Sequence, residues 1–149
     1  MTRQIFRYIL IAGLVLSCAF AGWVWFRPYS WNVDPAARCK VVETLVTRDQ
    51  SYYWVDTHLT VNEGSNHDLQ KPVYLQTSTG VKLDPAESTF AGEDMQNSRE
   101  IWFRFWLDST QLAGQLFLHL NDGKISIKAT QGIPELKNAA YQNFTHDQW

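Results

Sequence analysis

A chain of 149 residues, 45% hydrophobic and 14% aromatic, has room for one domain of ordinary size plus an appendage, but not for two large cores. Its many apolar residues and only eight glycines exclude disordered and collagen-like classes. A formal net charge of −2 and a pI of about 6.0 give no electrostatic footprint for nucleic acid, which is set aside as a partner.

Residues 8–26 carry no charged side chain; Arg3 and Arg7 precede them and Arg27 follows. As a helix, these 19 residues reach about 28 Å, close to the hydrocarbon thickness of a bilayer. Trp23, Trp25, Phe26, Tyr29 and Trp31 crowd the far end, where amphipathic rings favour the headgroup region. The expectation is a transmembrane anchor over residues 1–27, with membrane lipid as a partner through residues 8–26. Two rival readings stay open. Ala19-Phe20-Ala21 has the small-x-small form of a signal-peptidase site, with cleavage after Ala21. Val15-Leu16-Ser17-Cys18 has the form of a loose lipobox, with Cys18 the lipidated residue. Apolar residues continue for eight positions beyond Cys18 and five beyond Ala21, which favours a retained anchor. All three readings place the remaining chain outside the cytoplasm. With basic residues marking the inner side, the expectation is a single-pass protein of the bacterial inner membrane, N-terminus cytoplasmic and the following domain periplasmic or extracellular.

Residues 28–37 read as a linker. Three of the 13 basic residues lie before it, leaving ten against 15 acidic, so the exported part carries −5. Cys39 opens the first strand as a small buried hydrophobe, the alternative being an intermolecular disulfide; Cys18 lies in the apolar run, so no disulfide within the domain is available.

Strands follow. Tyr53, Val55, Thr57, Leu59 and Val61 alternate with Tyr52, Trp54, Asp56, His58 and Thr60 at the period of a half-buried strand. Val73 and Leu75 lead into Thr77-Ser78-Thr79-Gly80, with Val81 and Leu83 beyond, which predicts a hairpin. Ile101, Phe103, Phe105 and Leu107 form a further apolar face opposite Trp102, Arg104, Trp106 and Asp108. In residues 116–129, Asp122-Gly123 predicts a two-residue loop needing positive φ at both positions, which sets Leu120 opposite Ile125, Leu118 opposite Ile127 and Leu116 opposite Ala129. Residues 131–149, interrupted by Pro134 and rich in Asn, Gln and Thr, read as a polar tail whose terminal Trp149 either drapes freely or docks.

Six or seven short strands without a long helix predict an all-β domain over residues 38–130: a single antiparallel β-sandwich preceded by one transmembrane helix. Tyr53-Trp54-Val55 through Val61-Asn62, Tyr74-Leu75 with Gly80, and Ile101-Trp102-Phe103-Arg104-Phe105 together resemble the exported, membrane-anchored immunoglobulin-like domains of bacteria, many of unknown function. The resemblance implies an immunoglobulin-like fold and an envelope location. It implies no catalytic residue and no ligand.

Enzyme motifs are missing: there is no nucleophile elbow, P-loop, dinucleotide fingerprint or zinc spacing. His58, His67, His119 and His146 are scattered. His58 shares a strand face with Asp56, and Glu93-Asp94 and Asn66-His67-Asp68 are acidic clusters with too few oxygens for a calcium site. No cofactor, metal or catalytic residue is therefore assigned, and the chain is read as non-enzymatic. Aromatic residues carry the functional expectation. Trp102 and Trp106 flank Arg104 on one strand face, and Trp54 lies outward on an earlier strand. They are either covered by another layer or form an exposed platform. As a platform, Trp54, Trp102, Arg104 and Trp106 would bind a partner: other envelope proteins, with the chain as an accessory subunit of a membrane complex, or alternatively a surface carbohydrate. Any small-molecule ligand is left unassigned.

Overall fold

A computed structural model describes residues 2–26, 34–136, 140–145 and 149 of the chain. It falls into two units, residues 1–31 and 32–149. The first is helix α1 (Thr2–Phe26), 25 residues and therefore about 37 Å long, with an apolar stretch Arg3–Trp23 long and apolar enough to cross a membrane. Ile9, Ile11, Leu14, Leu16 and Phe20 are exposed along it. Trp23 is exposed as well; the side chains of Trp25 and Phe26, and all of Tyr29 and Trp31, lie outside the described residues, as does the linker over residues 28–33.

The second unit is mostly β, with two antiparallel sheets. A 3-10 turn at Pro35–Ala37 leads in; Asp34 caps it by accepting from the Ala36 amide, and Pro35 supplies the fixed φ of a first helical position. The strands among the described residues are β1 (Cys39–Asp49), β2 (Tyr52–Val61), β3 (Tyr74–Thr77), β4 (Lys82–Leu83), β5 (Glu87–Gly92), β6 (Ser98–Asp108), β7 (Leu116–Leu120), β8 (Gly123–Lys128) and β9 (Tyr141–Thr145). Helix α2 (Ser109–Ala113) joins β6 to β7. One sheet runs β5-β6-β2-β1-β9 and the other β4-β3-β7-β8.

Period-two patterning explains the burial. Tyr53, Val55, Thr57, Leu59 and Val61 of β2 are buried, as are Ile101, Phe103, Phe105 and Leu107 of β6. With Leu75, Leu116, Leu118, Leu120, Ile125 and Ile127 of the other sheet, all of these but Thr57 form one hydrophobic cluster. Cys39 belongs to it and is fully buried; burial pushes its thiol up to about 11, so it is a poor nucleophile for disulfide exchange. The hairpin at Thr77-Ser78-Thr79-Gly80 forms, β3 pairing β4 with Gly80 at φ 86°.

The hairpin of β7 and β8 differs from its sequence reading. Its two-residue loop is Asn121-Asp122, Leu120 pairs with Gly123 and Leu118 with Ile125, and only Asn121 has positive φ. The register is displaced by two residues, which keeps Leu116, Leu118, Leu120, Ile125 and Ile127 inward, so hydrophobic patterning around the turn could not distinguish the two pairings. Asn121 decides it: its side-chain oxygen accepts from the Asp68 amide and bonds the His67 ring, while its amide nitrogen donates to the Ala37 carbonyl. Gly123 serves close approach rather than turn strain, since a Cβ there would lie 2.1 Å from the Ala37 nitrogen. A register shift at Leu116/Phe117 then sets Lys128, not Ala129, opposite Leu116. Lys128 is fully buried, and its ammonium donates to the carbonyls of Thr130 (2.7 Å), Gly114 (3.1 Å) and Ala113 (3.5 Å).

Within the segment expected as a polar tail, Tyr141–Thr145 pairs with β1, and Trp149 is buried, stacked on Phe144 with ring centroids 4.6 Å apart. Its carbonyl accepts from the Ala129 amide. Of the two alternatives for Trp149, docking is the one observed.

Candidate aromatic interaction site

The outer face of the five-stranded sheet is built by register. Antiparallel pairing of β2 with β6 sets Tyr52 opposite Asp108, Trp54 opposite Trp106, Asp56 opposite Arg104, and His58 opposite Trp102. The last three of these cross-strand pairs bring their side chains into contact on the solvent side. Trp54 and Trp106 stack with centroids 6.2 Å apart, and the Tyr52 ring lies tilted against Trp106 with centroids 4.3 Å apart. Trp106 is 48% exposed and Tyr52 42%, so the rings present area rather than filling a core. The Trp54 indole nitrogen donates to Asp49 at 3.3 Å, which fixes that ring's orientation.

Arg104 sits in the next row. Its guanidinium donates to both carboxylate oxygens of Asp56, at 2.6 and 3.2 Å, reaches Glu87 at 3.4 Å, and lies 5.6 Å from the Trp54 ring centre. The hydrogen bonds and charge of Asp56 raise the Arg104 pKa still further, so it stays cationic throughout. His58 stacks on Trp102 at 4.5 Å, with Glu43 3.9 Å from one ring nitrogen and Glu100 3.6 Å from the other.

All four residues singled out from the sequence therefore share this face. Trp106 and Arg104 are exposed, whereas Trp54 and Trp102 are half-buried. Sequence reading missed Tyr52, although it follows the same alternation, and Tyr141. The latter shares the face because Thr47 pairs with both Trp54 and Tyr141, and it is 50% exposed. Around the rings the face is acidic: Glu43, Asp49, Asp56, Glu87, Glu100 and Asp108 stand against Lys40 and Arg104.

Among the described residues, the polar groups noted in the sequence are engaged separately. Asp56 is held by Arg104 rather than His58. His67 is buried against Phe90 and Phe103 and bonded to Asn121, and burial lowers its pKa. Asp94 accepts from the backbone and side chain of Asn97, which hold its pKa down. His146 lies outside the described residues. Among the described residues, no three His, Cys, Asp or Glu side chains are placed to hold a metal ion. The arrangement suits contact chemistry: flat aromatic area, a fixed cation and a ring of carboxylates. The chain matches no protein-family model, no curated protein and no solved structure.

Proposed function

We propose that the protein is a membrane-anchored, extracytoplasmic interaction module without catalytic activity, serving as an accessory subunit among envelope proteins. Helix α1 is the single span of a bacterial inner membrane, with the N-terminus cytoplasmic and the β domain periplasmic or extracellular. Arg3 and Arg7 before the apolar stretch support that orientation. An immunoglobulin-like sandwich is the fold that the strand order favours: β1-β2-β6-β5 follows the A-B-E-D sheet and β4-β3-β7-β8 the C′-C-F-G sheet, with β9 added at the edge of β1.

One observation carries the functional reading: Tyr52, Trp54 and Trp106 form a stacked, half-exposed row beside a cation fixed on an acidic sheet face. Aromatic anchors with an adjacent Arg are enriched at binding hot spots. A second reading, a surface carbohydrate platform, draws on the exposed Trp106 ring, on which a sugar could stack. Photo-crosslinking tests the first. The full chain carrying a photoreactive residue at position 106 should give a discrete protein adduct in intact membranes, and a control at position 95, in the exposed turn between β5 and β6, should give none. Equal labelling from both positions, or none from 106, refutes it. Glycan binding abolished by Trp106→Ser, with no protein adduct, would transfer the role to carbohydrate.

A further inference from the structure

The outer face of the four-stranded sheet has the opposite character. Its outward residues are Tyr74, Gln76, Lys82, Phe117, His119, Lys124 and Ser126, and no acidic residue occurs in its four strands. The Lys82 ammonium lies 4.6 Å above the Tyr74 ring and that of Lys124 3.9 Å above Phe117. Tyr74 stacks on His119 at 4.5 Å, and His119 bonds Gln76 at 2.8 Å. At the end of this row opens a cavity of about 530 Å³, bordered by Lys71, Tyr74, His119, Asp122 and Lys124. The nearby acids are engaged: Asp122 by the Lys71 ammonium and Asp34 by the Lys124 amide.

We infer that this basic face is a second interaction surface whose occupant is the acidic aromatic face of another copy of the same chain. The inference rests on reading the five-stranded face as an interaction surface. Complementarity supports it twice. Carboxylates of Glu43, Glu87 and Glu100 on one copy meet the ammonium groups of Lys82 and Lys124 on the next. The Tyr52–Trp106 pair is exposed on one face, and the other offers a cavity lined by Lys71, Lys124, the engaged Asp34 and Asp122, and the Tyr74–His119 rings, which suits aromatic insertion. Two different faces make the contact head-to-tail, so it builds rows or rings rather than two-fold dimers. Four strands of four, two, five and six residues, about 4.8 Å apart, present on the order of 270 Å². That is under the roughly 800 Å² per partner of stable complexes, so the contact is weak in free solution and gains from confinement in one membrane.

Carbodiimide cross-linking of the full chain in phosphatidylcholine vesicles tests this, using mixed ¹⁴N- and ¹⁵N-labelled protein so that links between copies are recognised by mass. The expected links join Lys82 or Lys124 of one isotope to Glu43, Glu87 or Glu100 of the other. Lys82→Glu with Lys124→Glu should reduce aggregate association between copies at least tenfold, read by energy transfer between labelled chains, and so should Glu87→Lys with Glu100→Lys. Mixing the two variants should restore it, because each keeps the face the other lost. No mixed-isotope links between these residues, or association unchanged in both variants, overturns the inference. A discrete adduct at position 106 with a different protein would then leave the interaction module standing with another partner.

Discussion

Substituting Gly123 by alanine tests how the two-sheet unit is closed. A Cβ at this position would lie 2.1 Å from the Ala37 nitrogen, 2.6 Å from its Cα and 2.7 Å from the Ala36 carbonyl carbon. Carbon contacts normally settle near 3.5–4.0 Å, so the 3-10 turn must retreat by about 1 Å or more. Retreat strains the Lys124 amide bond to Asp34, 3.1 Å long, and the bond from the Asn121 side chain to the Ala37 carbonyl. Overpacking costs about 1–3 kcal/mol and each lost hydrogen bond about 1 kcal/mol, giving a loss of about 3–5 kcal/mol. For a unit of this size that lowers Tm by about 12–20 °C. The assay is urea unfolding of the full chain in mild detergent, followed by indole fluorescence. Adding Ala37→Gly should not rescue the variant, because the atoms met are backbone. A loss under about 0.5 kcal/mol, or full rescue by Ala37→Gly, would refute the close-approach argument.

Lys128→Met keeps the stem's volume but leaves three carbonyls without their donor, and should cost about 2–4 kcal/mol in the same assay. Trp149→Ala removes a ring buried against Phe144 and should cost about 3–5 kcal/mol, read as an earlier unfolding midpoint. The Cys39 thiol, raised from 9.0 to about 11 by burial, adds stability that is fully present below pH 9 and lost as pH rises to 11. Two pKa units amount to roughly 3 kcal/mol. Cys39→Ala should therefore flatten the fall in stability between pH 9 and 11, measured against the unsubstituted chain.

Alternating apolar residues made β2 and β6 legible from sequence, because each strand repeats its inward residue four or five times. Their mutual register was not legible: Trp54 meets Trp106, and Asp56 meets Arg104, only through a pairing across some 50 residues. The site was thus recognised by residue type while its partners Tyr52, Asp56 and His58 were not. Helix α2 did carry a readable signal. Asp108 followed three residues later by Gln111 forms a capping box, the Asp108 side chain accepting from the Gln111 amide and the Gln111 side chain from the Asp108 amide. It went unread because it directly follows a long strand. Strand β9 offers just Tyr141 and Phe144 as apolar residues among polar neighbours, and its pairing with β1 supplies what its composition does not. Lys128 reverses the usual inference from residue type, because a register shift turned it inward and three carbonyls received it.

Topology labelling tests the central claim most directly. With Cys18→Ser in the background, Ser51→Cys places one thiol in the exposed turn between β1 and β2, and Thr2→Cys places one at the start of α1. A membrane-impermeant maleimide applied to spheroplasts of a bacterium making the full chain should modify position 51 at once and position 2 only after lysis. Position 2 reacting in intact spheroplasts while position 51 requires lysis would put the domain inside the cell and contradict the account.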